Sequence, residues 1–275
     1  MNKPRFRLII LVKHGLMPPW IDIAKNGQTK TWLEFELNEK DFKVIHFYGI
    51  VGGRLIRILD SLHEKLRWHS RFANLTLRIV DRVFSLPLLN WIPSAQPAKM
   101  LDSKQSEIQC RVIDTFFTLR WKQLAAYKYI QKNYDFDFLY ETNTSSYVDP
   151  VKLSERIELN QSSILYAGNK PYPKAKFFSG ANRLMSHGAL SLLMSKRHKW
   201  DPSLLEDVGI GKVFENLDVE ILQLPSMILT NMQEVAELTE SDIKYHHHYR
   251  LKSFEADKRN DIELMRKLHL RIKNA

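Results

Sequence analysis

The chain has 275 residues, 44% hydrophobic and 26% charged, with a net charge of +10 and a pI near 9.5. This composition excludes a disordered or low-complexity chain, and a single cysteine excludes an intrachain disulfide, so a reducing compartment is the simpler setting. The excess of lysine and arginine asks for an anionic partner: nucleic acid, an acidic membrane surface or a phosphorylated substrate.

In chain order, Lys3, Arg5 and Arg7 precede Leu8-Ile9-Ile10-Leu11-Val12 and imitate the start of a signal peptide. Lys13 and His14 end the run too early for a membrane span, so Phe6 to Val12 is predicted to be a buried first strand of a soluble, cytoplasmic protein. Lys43 to Tyr48 reads as a second strand. Between Gly52 and Pro93, Arg54, Arg57, Lys65, Arg67, Arg71, Arg78 and Arg82 lie among leucines and isoleucines. That texture fits either a basic amphipathic element resting peripherally on the inner face of a membrane or a helical insertion, about 54–108, with solvated arginines. A helix is predicted from about Val112 to Asn133 on the helical spacing of Ile113, Phe117, Trp121, Leu124 and Tyr127. Strands at Phe136 to Tyr140, Ser163 to Ala167 and Val219 to Leu222 continue the alternation. Ala175 to Phe178 is also strand-like, and Ser186 stands where a helix from His187 to Lys196 needs its N-cap.

No linker or repeat divides residues 1–275, so one domain is expected. Short apolar strands alternating with helical patterns predict an α/β fold, with a mainly parallel central sheet flanked by helices. Ligands of such sheets collect outside the carboxyl ends of the strands, which directs attention to Glu141 through Asp149.

Three constellations bear on chemistry. Glu206-Asp207-Val208 is placed at a helix start, where amides and dipole favour an ionised acid; a carboxylate in that state can serve as a general base, or simply cap the helix. Ser179-Gly180 permits close backbone approach, to a ligand or to a neighbouring element. Ile243 to Lys252 alternates with period two, and read as one strand it sets Lys244, His246, His248, Arg250 and Lys252 on one face. Such a face suits a diphosphate, or is a charged edge that discourages aggregation. His246 and His248 have no cysteine cluster or spaced carboxylate to complete a metal site, so no metal ligand is assigned. The chain contains no phosphate-binding Walker loop, dinucleotide fingerprint or nucleophile elbow.

Taken in order, these segments resemble the β-1,3-galactosyltransferase and Fringe-like group, glycosyltransferase family 31. The resembling segments are Lys25 to Thr31-Trp32; Lys43 to Gly49; Asp114 to Lys122; Phe138 to Asp149; Pro173 to Ser186; and Glu206-Asp207-Val208-Gly209-Ile210-Gly211, which matches Glu-Asp-Val-x-x-Gly. The resemblance implies a GT-A nucleotide-diphospho-sugar transferase fold. It also implies an inverting transfer in which Asp207, with Glu206 beside it, carries the catalysis as base. The chain departs from the family at Asn143-Thr144-Ser145, which stands where the family has its metal-binding Asp-x-Asp and offers no carboxylate for Mn²⁺ or Mg²⁺. Metal dependence is therefore disfavoured, and the basic face of His248, Arg250 and Lys252 is expected to stabilise the departing diphosphate. Asn143, Ser145, Ser179 and Gly180 complete the expected donor site.

The resulting expectation is a transferase moving a sugar from a nucleotide diphosphate, UDP by preference, to a glycan or lipid-linked acceptor in cell-surface polysaccharide synthesis. The alternative is a non-catalytic nucleotide-sugar or glycan-binding protein on the same fold. No nucleic-acid-binding motif accompanies the charge, so nucleic acid is not expected as a partner.

Overall fold

The computed structural model describes residues 3–35, 41–50, 99–102, 106–114, 118–158, 162–201, 204–255 and 258–275. In chain order these form β1 (Arg5–Lys13), α1 (Trp20–Asn26), β2 (Phe42–Ile50), β3 (Lys99–Asp102), β4 (Glu107–Ile113), α2 (Leu119–Asn133), β5 (Asp135–Asn143), β6 (Ser146–Val148) and α3 (Pro150–Glu158). They continue with β7 (Leu165–Gly168), β8 (Arg183–Ser186), α4 (His187–Ser195), α5 (Glu206–Phe214), β9 (Glu220–Gln223), β10 (Met227–Leu229), α6 (Met232–Ala236) and α7 (Glu240–Tyr245). The last elements are β11 (His248–Leu251), β12 (Phe254–Glu255), β13 (Lys258–Arg259) and α8 (Asp261–Lys273).

The central sheet has the order β3-β4-β2-β1-β5-β8-β7-β9. Only β3 and β8 run against the others, so the sheet is mainly parallel, as the sequence predicts. Helices cover both faces, which is why β1 is apolar without alternation. Ile9 and Leu11 point into one core with Leu124 and Ile130 of α2, Leu190 and Leu193 of α4 and Ile210 of α5. Leu8, Ile10 and Val12 point into the other with Ile23 of α1, Leu153 of α3 and Leu264 and Leu268 of α8. A second sheet, β10-β11-β6, joins that second core through Tyr147, Tyr249 and Leu251.

Three expectations change. The helix predicted from Val112 starts at Leu119, because Ile108, Cys110 and Val112 are strand residues paired alongside β2 and buried under α2. Ala175 to Phe178 is not a strand; β8 follows it instead and runs antiparallel to both neighbours. Ile243 to Lys252 is not one strand, since a capping box between Thr239 and Asp242 starts α7 and holds Ile243 to Tyr245 in helix. By contrast Ser186 caps α4, its hydroxyl accepting from the Ala189 amide at 3.2 Å. The basic stretch at 54–98 lies outside the described residues, whereas 99–102 and 107–113 belong to the central sheet.

Candidate active site

The carboxyl edge of the sheet gathers charge from distant parts of the sequence. Lys13 ends β1 in register with Asn143 at the end of β5, and Glu141 pairs across the sheet with Arg183, the first residue of β8. Because β8 is reversed, its amino end lies at the carboxyl end of its neighbours, where Arg183 also pairs with Gly168 of β7. The helix α5 then brings Glu206 over this edge.

These side chains form one buried chain of ions. Arg183 is fully buried and pairs with both Glu141 and Glu206, and Lys13 reaches Glu206 at 3.1 Å. Glu141 also accepts from Gln123 and from the Tyr127 hydroxyl, the latter at 2.6 Å. Two cations face two carboxylates, so the cluster balances its own charge without solvent. Burial alone would raise the Glu206 carboxyl, but the Arg183 and Lys13 charges outweigh it and hold it down at about 2. Burial alone would likewise lower Arg183, and Glu141 and Glu206 together keep it well above its ordinary value.

Asp207 has a different environment. It remains partly exposed, and its Oδ1 accepts from the Val208 amide at 2.9 Å. Burial and then the neighbouring Glu206 charge raise its pKa above 3.8, opposite to the lowering that the helix start alone predicts. The two adjacent acids of α5 thus divide into one locked in ion pairs and one, only partly exposed, whose carboxyl is raised.

The glycines around this helix have steric reasons. A side-chain carbon on Gly180 would lie 2.9 Å from Glu206 Oε2 and 3.0 Å from Lys13 Nζ, so the Ser179-Gly180 backbone packs directly on the ion pair. Gly209 and Gly211 leave room for the Trp200 indole and for Phe177 respectively. The spacing of Glu-Asp-Val-x-x-Gly is therefore partly a packing requirement. Ser179 is partly exposed, and its hydroxyl accepts from the Ala181 amide at 3.3 Å.

Asn143-Thr144-Ser145 forms the turn between β5 and β6, with Thr144 and Ser145 buried. The buried Gln28 amide clamps this turn by donating to the Asn143 carbonyl at 3.0 Å and the Ser146 carbonyl at 3.2 Å. Arg250 on β11 donates to Asn143 Oδ1, and Arg259 donates to Ser145 Oγ at 2.8 Å. The sequence singled out Arg250 and the segment opening at Glu141, but not Arg259, Gln28, Lys13 or Arg183 as members of the site.

His248 lies on β11 two residues from Arg250, but its state differs from the expectation. His248 is buried, its Nδ1 is 2.7 Å from the Ser226 hydroxyl, and burial, then His247 and Arg250, lower its pKa far below 6.5. Its imidazole is therefore neutral at neutral pH rather than part of a cationic face. Lys252 is exposed and follows the end of β11.

The turn does not fit a divalent cation. Its side-chain oxygens at Asn143 and Ser145 are neutral, and each already accepts from a guanidinium, so Mn²⁺ or Mg²⁺ would meet two positive neighbours and no carboxylate of the turn. Among the described residues, no group of three or more His, Cys, Asp or Glu side chains could hold a metal ion. Nor is any helix among them long and apolar enough to cross a membrane.

No family model and no curated protein matches the sequence. Solved structures do resemble the fold at low identity. A glycosyltransferase involved in glycosylation of the major capsid of PBCV-1 aligns with TM-score 0.43 and 11% identity, over 96% of this chain and 99% of that one. Mouse xyloside xylosyltransferase 1 in its apo form gives 0.40 and 11%, over 90% and 97%. The glycosyltransferase GlyE of Streptococcus pneumoniae TIGR4 gives 0.45 and 9%, over 98% of this chain and 63% of that one.

Proposed function

We propose that the protein is an inverting glycosyltransferase that uses a nucleotide diphosphate sugar, UDP-linked by preference, and needs no metal ion. The observation that carries this is the contrast at the carboxyl edge of the sheet. A partly exposed carboxylate of raised pKa, Asp207, stands beside a self-neutralised ion cluster, while Arg250 reaches the β5–β6 turn on the register neighbour of Lys13.

In the proposed step the acceptor hydroxyl gives its proton to Asp207 as its oxygen bonds to the anomeric carbon. The bond from that carbon to the phosphate oxygen breaks, and its electron pair leaves with the nucleoside diphosphate. Attack from the opposite side inverts the centre, so an α-linked donor yields a β-linked product. Glu206 acts through position: its ion pairs with Arg183 and Lys13 fix the first turn of α5 and hence Asp207. Ser179 and Gly180 line the same edge, and His248 supports it as a buried neutral group. The acceptor class is a glycan or lipid-linked sugar in surface polysaccharide assembly, taken up on the cytoplasmic side with peripheral membrane contact.

The test is Asp207→Asn, assayed for transfer from a panel of nucleotide sugars in the presence of EDTA. The expected result is loss of at least about 100-fold in kcat with donor binding retained. Full transfer by a folded Asp207→Asn chain refutes the assignment, and donor binding without turnover by the unsubstituted chain favours the non-catalytic alternative.

A further inference from the structure

Arg250 and Arg259 form a pair that the expected basic face did not contain. Arg259 stacks over Trp20 at 5.4 Å and Phe254 at 4.8 Å, bonds the Leu251 carbonyl at 3.0 Å and pairs with buried Asp261 at 2.6 Å. Asp261 is itself fixed by the Ser253 amide at 3.1 Å. Arg250, by contrast, pairs with no carboxylate among the described residues and donates to the neutral Asn143. Burial and then the nearby Arg259 charge push Arg250 down to about 10. Two guanidiniums thus share one carboxylate, in partly buried surroundings where an unmatched cation is costly. Such an excess, beside a turn of neutral oxygens, calls for an anion.

We propose that Arg250 and Arg259 form a preorganised diphosphate site in which two guanidiniums take the part of a divalent cation, with Asn143 and Ser145 orienting the arginines rather than touching the ligand. The identity of the ligand as a nucleotide's diphosphate rests on the transferase assignment above; the anion site itself does not. Arg259 enters with its plane already set by Trp20 and Asp261, and Arg250 keeps donors beyond the one spent on Asn143. The Arg250 fork can meet phosphate oxygens two at a time, which a lysine does not reproduce, whereas Nε and Nη2 of Arg259 are held by Asp261, Ser145 and the Leu251 carbonyl and its Nη1 is the donor left for an anion. The charge that arrives on the diphosphate as the sugar leaves is then met by groups fixed before the reaction begins.

The experiment is calorimetric titration of the full chain with inorganic pyrophosphate and, separately, UDP, each in EDTA and in Mn²⁺. Both probes should bind in EDTA, and Mn²⁺ should change neither affinity by more than about threefold. Arg250→Gln and Arg259→Lys should each weaken binding by about 10- to 100-fold, the loss expected for one charge-assisted contact. Since Arg259→Ala alone would strand buried Asp261, the double variant Arg259→Ala/Asp261→Asn is titrated as well and should weaken binding at least as much as Arg259→Lys, with circular dichroism to establish folding. Binding that needs Mn²⁺, or that survives Arg250→Gln and Arg259→Lys unchanged, overturns the proposal. Arginine-dependent pyrophosphate binding in a chain that turns over no nucleotide sugar would support the site and remove the transferase assignment. Mn²⁺-dependent transfer with arginine-independent binding would do the reverse.

Discussion

Glu206→Gln separates the two acids of α5. In the folded protein the Glu206 carboxyl lies at about 2 against an ordinary 4.5. At about 1.36 kcal/mol per pKa unit, this drop corresponds to roughly 3 kcal/mol of stability at neutral pH. The side chain is only 6% exposed, so solvent screening removes little of it. A depressed folded-state pKa stabilises above the unfolded value, and the contribution is lost as pH falls from about 4.5 towards 2. The variant should therefore unfold at lower urea concentration than the unsubstituted chain at pH 7, by about 3 kcal/mol, and the two should converge only at about pH 2 and below. Tryptophan fluorescence in urea at several pH values measures both. Transfer activity should persist, reduced severalfold, because Asp207 is still present on a loosened helix. If the variant melts like the parent at every pH but loses all transfer, Glu206 acts on the substrate and the positioning role is wrong.

The remaining predictions are more compact. The raised Asp207 pKa places the rising limb of kcat/KM at higher pH than an ordinary aspartate would; a pH–rate profile with no such limb argues against Asp207 as base. Gly180→Ala pushes a methyl group against Glu206 and Lys13 and should cost about 1–3 kcal/mol in a urea melt, while a neutral effect would mean the ion pair shifts freely. Cys110 is buried, and burial raises its thiol to about 12, so it should resist iodoacetamide in the native state and react only in denaturant; rapid native alkylation would contradict the packing of β4 under α2.

Where local chemistry decided the outcome, the sequence was informative. The apolar runs of β1, β2 and β5, the Ser186 cap and the acids opening α5 all depend on neighbours close in the chain. Competition between local signals explains the errors. Val112 suits both a helix face and a strand, and pairing of β4 beside β2 decides it; Tyr245 fits the alternation of β11, and the Thr239–Asp242 box claims it for helix. The candidate site was legible only in part, since Glu206 and Asp207 look equivalent until Arg183 and Lys13 are brought in from other strands. Arg183 sits between Asn182 and Leu184-Met185, and an arginine entering an apolar run was the one available hint of a buried ion pair. Arg259 gave no comparable signal, because its neighbours Lys258 and Asn260 make it look like ordinary polar surface. Its importance comes from Trp20 and Ser145, far away in the chain.

The self-neutralising ion cluster has a consequence for how the molecule is made. Its members come from positions 13, 141, 183 and 206, so no short stretch of chain contains a balanced set. During synthesis Lys13 emerges long before its carboxylate, and Arg183 has only Glu141 until α5 is complete. Closing such long-range contacts carries its entropic cost before any return, so the edge of the sheet forms late and all together. The Arg259–Asp261 pair closes later still, since it belongs to the last strand and the final helix. A chain cut short after β9 would keep the central sheet and the ion cluster at its edge yet lack Arg250 and Arg259, leaving an edge that balances its own charge with no surplus cation to hold an anion.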